Sequence, residues 1–174
     1  GIKNNFLNKQ MVNKLLKQNN FDRLTLKKDI LVLDSIEMIF KNLPEVKNVN
    51  VFVYPEGEIG IDIEERKPVL RIINENKSFF LDKDGFEIPY TGNHSPRVPI
   101  FFGKLNYKNK NELIIFFNSV YDNKFFENEL IEIKYFKGLF VLRLRSFDFE
   151  IRWGENKKFE NKIIKLEKFC DYIS

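Results

Sequence analysis

The stretch Ile63–Pro89, IEERKPVLRIINENKSFFLDKDGFEIP, decides how this chain is divided. A run of consecutive charged residues is followed by a proline and an apolar segment, and then by an aspartate-rich turn. Such a stretch could be an active site, a metal loop or the joint between two modules. Because Pro68 has no N–H to donate to a sheet, the strand pattern before it should end at this candidate joint, and the three interpretations stay open at this point.

The aspartate-rich turn does not have the spacing of a calcium loop. That loop needs oxygen ligands at positions 1, 3 and 5, glycine at 6 and glutamate at 12. Counted from Asp82, the fifth position is Phe86 and the twelfth is Asn93. Asp-Gly between apolar strands is a hairpin signal instead. The sequence therefore predicts a plain turn over Asp82–Gly85.

No other residue pattern makes a case for catalysis. Glu64 and Glu65 would point to opposite faces of a regular strand, so they cannot act as a pair on one substrate. His94 lies in a turn-like segment, and Cys170 falls on an apolar helical stripe, where cysteine behaves as a small hydrophobe. A single histidine and a single cysteine also argue against a Cys/His metal site. We expect neither an enzyme nor a cofactor nor a metal site.

The charge distribution argues against a nucleic-acid partner. The chain carries 29 basic and 25 acidic residues, a net charge of +4, and the two signs are interleaved. A nucleic-acid-binding protein usually concentrates its basic residues on one face. A composition of 43% hydrophobic and 31% charged residues is that of a folded globular chain. No apolar run approaches the ~20 residues that cross a bilayer.

Upstream of the joint, apolar residues recur at helical spacing over two segments. The first covers residues 8–18. The second is expected to begin at Asp34 as N-cap, with Glu37 in the capping-box position, and to end at Pro44. The apolar period then changes from 3.6 to 2, which predicts a hairpin that ends at Glu65. The outward-facing residues of its first strand are Asn50, Phe52 and Tyr54.

Downstream of the joint, the pattern predicts a short strand at Phe79–Leu81 and a loop from Pro89 to Pro99. A third helix is centred on residues 113–121, and strands with alternating apolar residues follow at 131–135, 140–144 and 147–153. A final helix is expected from about Asn156 to Cys170. The predicted fold class is α+β.

Several segments together resemble a known family. They are LDSIEMIFKNLPEVKNVNVFVYPEGEIGIDIEERKPVLRI, FFLDKDGFEIP and RVPIFFG. They are similar to the extracytoplasmic region of the bacterial cell-division proteins FtsQ/DivIB, which carries these elements in the same order. The matching motifs are Leu43–Lys47, Glu65–Pro68, Asp82–Gly85 and Val98–Gly103.

The resemblance implies two domains. Residues 1–72 would form a POTRA-like domain with two helices packed on a hairpin, and residues 73–174 a β domain with an antiparallel meander and flanking helices. The joint would lie between them. We expect the family's membrane helix, the first POTRA strand and the terminal strand of the β domain to be missing from these residues.

The resemblance also implies a function. The protein would be a non-enzymatic scaffold of the divisome that binds FtsB- and FtsL-type proteins, with FtsK-, FtsW- and FtsI-type proteins as further partners. It would help recruit and regulate septal peptidoglycan synthesis. This region would lie in the periplasm or extracytoplasmic space, and only an N-terminal helix outside it would enter the inner (plasma) membrane. The alternatives are a POTRA-bearing protein of outer-membrane assembly or secretion and a cell-wall hydrolase.

Two surfaces are candidates for partner binding. The first is the outward face of the hairpin strand, with Asn50, Phe52 and Tyr54 at an open sheet edge. The alternative is that Phe52 and Tyr54 pack on the neighbouring domain. The second covers residues 156–174, where Lys158, Lys162 and Lys165 would meet acidic residues of the partner. We expect the strand before this helix to end the sheet with unpaired backbone groups.

Overall fold

The computed structural model describes residues 6–19, 21, 30–74, 77–92, 95–120, 122–136, 139–154 and 158–173. The chain divides into a first unit, Gly1–Lys67 with Ile88–Ser95, and a second unit, Pro68–Glu87 with Pro96–Ser174. The boundary expected at residue 72 falls inside a strand of the second unit. His94 and the ends of the predicted partner region, Asn156 and Ser174, lie outside the described residues.

The first unit has the predicted order of two helices and a hairpin. Asn8 caps the first helix, because its side-chain Oδ1 accepts a hydrogen bond from the backbone N–H of Met11 at 2.9 Å. The two strands pair antiparallel, with Val51 opposite Ile61. The elements are α1 Lys9–Gln18, α2 Ile30–Lys41, β1 Val46–Val53 and β2 Ile59–Glu65.

The predicted start of α2 is wrong. The helix already includes Ile30, so Asp34 lies inside it and caps nothing. The apolar residues before Asp34 explain the difference, since Val32 and Leu33 pack against the core and extend the helix upstream. Glu37 is not part of a capping box either. Its carboxylate accepts hydrogen bonds from the N–H of Val51 at 3.1 Å and from the Lys41 ammonium at 2.8 Å.

The second unit is built on a larger sheet. In the part of the chain that the structure describes, seven strands follow the order β5-β4-β3-β6-β7-β8-β9, and β5 straddles the division into units. The β3–β6 and β6–β7 pairs are parallel, and the β3–β4, β7–β8 and β8–β9 pairs are antiparallel. The elements are β3 Pro68–Ile73, β4 Ser78–Asp82, β5 Glu87–Pro89, β6 Ile100–Phe102, α3 Tyr107–Val120, α4 Lys124–Glu129, β7 Leu130–Phe136, β8 Leu139–Leu144, β9 Glu150–Gly154 and α5 Phe159–Ile173.

The α+β class and the three-strand meander are confirmed. The sequence reading missed β3, β6 and α4, and it began the last strand too early. Phe147 and Phe149 precede β9, where their rings pack on each other with centroids 5.5 Å apart. Short strands such as β6 carry too few residues to show a period. Pro68, at the first position of β3, is placed where a strand tolerates proline.

The turn predicted over Asp82–Gly85 is confirmed. One carboxylate oxygen of Asp82 accepts hydrogen bonds from the N–H groups of Asp84 at 2.9 Å and Phe86 at 2.8 Å. Gly85 has a φ of 82°, a value that glycine adopts without strain. The Asp82 carboxylate is therefore occupied by its own turn, which leaves it a structural role.

Helices α3 and α5 share one hydrophobic core with the second unit's sheet. α3 buries Phe116 and Phe117, and α5 buries Ile163, Leu166 and Cys170. The stripe predicted for the last helix is thus confirmed, with Phe159 half-buried at its start. Among the described residues, no helix has both the length and the apolarity to span a membrane.

Candidate protein-binding edge

Strand β9 ends the seven-stranded sheet, as the sequence predicted for the strand before the last helix. Its described neighbour is β8, with Arg143 opposite Glu150 and Leu142 opposite Ile151. The far side of β9 therefore presents backbone N–H and C=O groups that no other described strand pairs. Such an edge can accept a strand from another chain, because main-chain hydrogen bonds then extend the sheet.

Trp153 is an extra residue in this edge strand. The register places Arg152 opposite Val141 and Gly154 opposite Phe140, so the ladder steps over Trp153. The indole ring turns into the core and is only 5% exposed. It meets the rings of Phe116 and Phe126 edge to face, with centroids 5.5 and 5.9 Å apart. The bulge thus leaves Trp153 out of the strand ladder, and the Trp153 ring packs against other aromatic rings in the core.

Lys162 of α5 contacts the end of β9 directly. Its ammonium donates a hydrogen bond to the backbone carbonyl of Trp153 at 2.9 Å. It also lies 5.4 Å from the centroid of the indole ring, within the range of a cation–π interaction. Lys162 is half-buried, whereas Lys158 and Lys165 are exposed. The predicted basic face is therefore not uniform, since one of its three candidate lysines is held inside the chain.

An aromatic contact also flanks the edge at the start of β9. The rings of Phe149 and Phe169 are 5.5 Å apart, and Phe169 of α5 is 51% exposed. The sequence reading did not select Phe169, because it lies outside the buried stripe of the helix. The sequence did contain a signal for Phe169, because a phenylalanine outside the apolar stripe and next to lysines is expected to be exposed. Lys162 and Phe169 therefore lie on the side of α5 that contacts β9 and the residues just before it.

The first unit offers a second surface on β1. Asn50 is exposed, Phe52 is half-buried and Tyr54 is 47% exposed. The two rings meet edge to face with centroids 5.1 Å apart. The Phe52 ring covers Gly60 of β2, where a Cβ atom would overlap it. In the described residues β1 pairs only with β2, so this edge is also open.

The described ionisable groups bear on two kinds of candidate chemistry, metal binding and attack by a thiol. No group of three or more His, Cys, Asp or Glu residues there could hold a metal ion. Cys170 is 1% exposed, and burial raises the pKa of its thiol above the ordinary value. A raised thiol pKa lowers the thiolate fraction and thus the reactivity of the residue.

One cavity of about 430 Å³ opens in the second unit near the start of β3 and α4. Buried side chains including Phe117, Val120 and Phe126 form its floor. The other lining residues are Pro68, Val69, Arg97, Val98, Pro99, Asp122, Lys124, Glu127 and Leu130. The described part of this lining includes the carboxylates of Asp122 and Glu127 and the ammonium of Lys124.

A mixed sheet with an open edge strand and a helix beside it is typical of a protein-binding module. The model of the FtsQ/DivIB C-terminal related family matches residues 67–173, more than half of the chain. The chain belongs to this family of non-catalytic cell-division proteins, so the resemblance seen in the sequence is confirmed. Members of the family are typically membrane-anchored with an extracytoplasmic domain. No curated protein matches the chain.

Proposed function

We propose that this protein is a scaffold of the bacterial divisome that binds an FtsB-type partner by strand addition at β9. The observation that supports this most directly is the position of β9 at the end of the sheet. A partner strand would form main-chain hydrogen bonds with β9, and the side of α5 would contact its side chains. The exposed residues Phe169 and Lys165 would then contribute an apolar and a basic contact.

Main-chain and side-chain contacts would have different roles in such a site. Main-chain bonds give affinity with little sequence preference, so the partner's identity depends on the side chains beside the edge. Phe169 is the best candidate for an apolar anchor, because aromatic residues dominate interface energetics. Lys158 and Lys165 are exposed, so they would affect the association rate and its salt dependence more than the affinity.

The remaining expectations belong to the same proposal. The first unit would be POTRA-like, and Asn50, Phe52 and Tyr54 on β1 would contact a further division protein. FtsL-type proteins would belong to the same assembly, through which septal peptidoglycan synthesis is recruited and regulated. This region would lie outside the cytoplasm, joined to a membrane helix. The cell-division role itself follows from the family.

The test of strand addition uses cysteine cross-linking to the extracytoplasmic segment of an FtsB-type protein from the same organism. Arg152→Cys places a thiol on the edge strand β9, and Lys134→Cys places one on the interior strand β7. Both residues are exposed and lie on the same face of the sheet, since each is opposite Val141. Cys170 is 1% exposed and needs no replacement.

Single cysteines are then placed along the partner segment. We expect disulfides to Arg152→Cys at alternate partner positions, because side chains of a strand alternate between the two faces. Lys134→Cys should form few or none, since β8 and β9 separate it from the edge. Equal cross-linking from both positions, or no alternation along the partner, would overturn strand addition at β9.

A further inference from the structure

The cavity in the second unit lies between two segments that are distant in sequence. The start of β3 and the residues 97–99 before β6 form one side, and the end of α3 and α4 form the other. The N–H of Arg71 in β3 donates a hydrogen bond to the Pro99 carbonyl at 2.9 Å, which fixes the first side. The cavity volume of about 430 Å³ is within the range of small-ligand sites.

The second side is fixed by contacts with the core and with α5. Asn123 caps α4, because its Oδ1 accepts a hydrogen bond from the N–H of Phe126 at 3.1 Å. Its amide also donates to the Glu167 carboxylate of α5 at 2.9 Å. The Phe126 ring meets the rings of Phe116 and Trp153 edge to face, with centroids 6.0 and 5.9 Å apart. The cavity is therefore preformed, which lowers the ordering cost of binding.

The floor of the cavity is apolar. Each residue of this floor is at most 9% exposed, and the residues are Val69, Phe117, Val120, Phe126 and Leu130. An apolar group that covers such a floor removes apolar surface from water on both partners, which is favourable. A polar or charged group would lose its hydration there without gaining a hydrogen bond. The floor therefore favours one apolar side chain of a partner.

Four exposed charged side chains line the same cavity. Two are cationic, Arg97 and Lys124, and two are anionic, Asp122 and Glu127. Within the described residues, none of these four side chains forms a hydrogen bond or an ion pair. Lys124 and Glu127 are three residues apart on α4, so they lie on the same face of that helix. Charges of both signs are thus available to a partner, and such charges contribute specificity.

These features together describe the chemistry of the occupant. Arg97 lies on one side of the cavity and the other three charged residues lie on the opposite side, so complementary charges must be spread across it. An extended peptide can supply them, because it advances about 3.3 Å per residue and carries charged neighbours on either side of an apolar residue. The family acts with protein partners in the division complex. A segment of such a partner therefore fits the cavity.

We propose that this cavity is a second protein-binding site, which holds an extended segment of a division partner through one large apolar side chain on the floor. Acidic neighbours of that side chain contact Arg97 and Lys124, and basic neighbours contact Asp122 and Glu127. The inference rests on the proposed function only in taking a division protein as the partner. It does not depend on strand addition, because neither β9 nor α5 contributes to the described lining.

The test uses the full chain and capped pentapeptides as probes. Each peptide has phenylalanine at its centre, glycine on both sides of it and a charged residue at each end. The mixed peptide carries glutamate and lysine in either order, the acidic peptide two glutamates and the basic peptide two lysines. A mixed peptide with alanine at the centre lacks the ring. Binding is measured at low ionic strength from the shifts of backbone amide signals in two-dimensional NMR spectra.

The protein variants reverse one charge each. Arg97→Glu and Glu127→Lys change the cavity. Lys83→Glu and Asp84→Lys are the matched controls, since both residues are exposed in the turn after β4 and lie outside the lining. Each control makes the same change in net charge as its cavity counterpart.

We expect the mixed peptide to shift the amide signals of lining residues with a dissociation constant on the order of 1 mM. Alanine at the centre should weaken binding at least about tenfold, because the buried ring is lost. Arg97→Glu should weaken the acidic peptide and strengthen the basic one, each about fivefold, and Glu127→Lys should do the opposite. The controls should change binding less than about twofold. A variant that failed to fold would lose both peptides instead of exchanging their order.

The outcomes that overturn the inference differ from those that overturn the proposed function. No saturable shift at the lining residues up to about 10 mM peptide would reject the cavity site. Equal responses of Lys83→Glu and Arg97→Glu would also reject it, since charge near the cavity would then have no special effect. Cross-linking at Arg152→Cys without peptide binding would leave only the β9 site. Peptide binding without that cross-linking would leave only the cavity site.

Discussion

The two units of this chain differ in how they are held together. The buried cluster of the first unit is mainly aliphatic, and Phe40 is a fully buried ring there without a described ring partner. In the second unit Phe116 lies among four other rings, those of Phe117, Phe126, Phe140 and Trp153. Aromatic pairs add directional contacts to the area that they bury. The second unit therefore depends more on specific ring geometry.

The units also differ in the sequence separation of their strand pairs. β1 and β2 follow each other and pair as a hairpin. The second unit contains the parallel pairs β3–β6 and β6–β7, in which Ile72 is opposite Phe101 and Phe101 is opposite Ile133. Parallel pairs need long crossover connections, and no local turn signal announces them. The comparison teaches that one short-range strand pair forms the sheet of the first unit, whereas the sheet of the second unit also requires strands distant in sequence to meet.

The largest expected effect tests the aromatic contacts. Phe116→Ala should cost about 3–5 kcal/mol of stability, because it removes a buried ring and its partners. Phe40→Ala should cost about 1–2 kcal/mol less, since no ring–ring contact is lost with it. Hydrogen exchange measured on peptides from each unit gives the local loss of protection.

Ile115→Ala is the matched control on α3, since Ile115 is 51% exposed, and it should change stability by less than about 0.5 kcal/mol. An equal or larger loss for Phe40→Ala would contradict the contrast between the two cores.

A local element inside the second unit should have the next largest effect. Asp82→Ala leaves the N–H groups of Asp84 and Phe86 without their acceptor, which should cost about 2–4 kcal/mol. Asp82→Asn keeps one acceptor oxygen and should lose less than half of that. Urea unfolding followed by Trp153 fluorescence measures both variants. The exposed Asp84→Ala is the control, and a similar loss there would mean that the turn does not depend on the Asp82 carboxylate.

A smaller effect is expected at the β1 surface of the first unit. Gly60→Ala places a methyl group against the Phe52 ring, which should cost about 1 kcal/mol and move the ring toward solvent. Gly60 is not among the residues with positive φ, so backbone strain does not contribute. Gly60→Ala combined with Phe52→Ala should recover most of the loss. If the double variant loses as much stability as Gly60→Ala alone, the cost does not arise from contact with the Phe52 ring.

The smallest effect concerns a hydrogen bond between α2 and β1. Two hydrogen bonds to its carboxylate hold the pKa of Glu37 below the ordinary value. The bond from the Lys41 ammonium has the larger effect, and the bond from the Val51 N–H has the smaller one. Folding thus favours the charged carboxylate. The resulting stability is present above the unfolded pKa and is lost as the pH falls through the folded pKa. Glu37→Gln should have a slightly lower thermal midpoint than the wild type at neutral pH.

That difference should disappear as the pH falls through the folded pKa of Glu37, because the carboxyl group is then protonated in both states. Glu56→Gln, in the exposed turn between β1 and β2, is the control for the loss of a surface carboxylate. A midpoint difference for Glu37→Gln that is constant with pH would argue against the charged hydrogen bond.

The sequence by itself determined the elements whose signals are local. The change of apolar period after Pro44 predicted the β1–β2 hairpin, the Asp-Gly pair predicted the turn after Asp82, and the stripe of α5 predicted its buried face. The order of short motifs was enough to indicate the family. Each of these signals lies within one element or one turn, where backbone preference and burial act on neighbouring residues.

Only the tertiary structure decided the rest. It placed β6 between β3 and β7, extended α2 upstream of Asp34, and engaged Glu37 with β1 instead of with its own helix. It also separated Lys162 from Lys165, which look alike in the sequence. The Lys162 ammonium donates to the Trp153 carbonyl, whereas Lys165 is exposed. Such contacts join residues that no local pattern connects, so packing alone determines them.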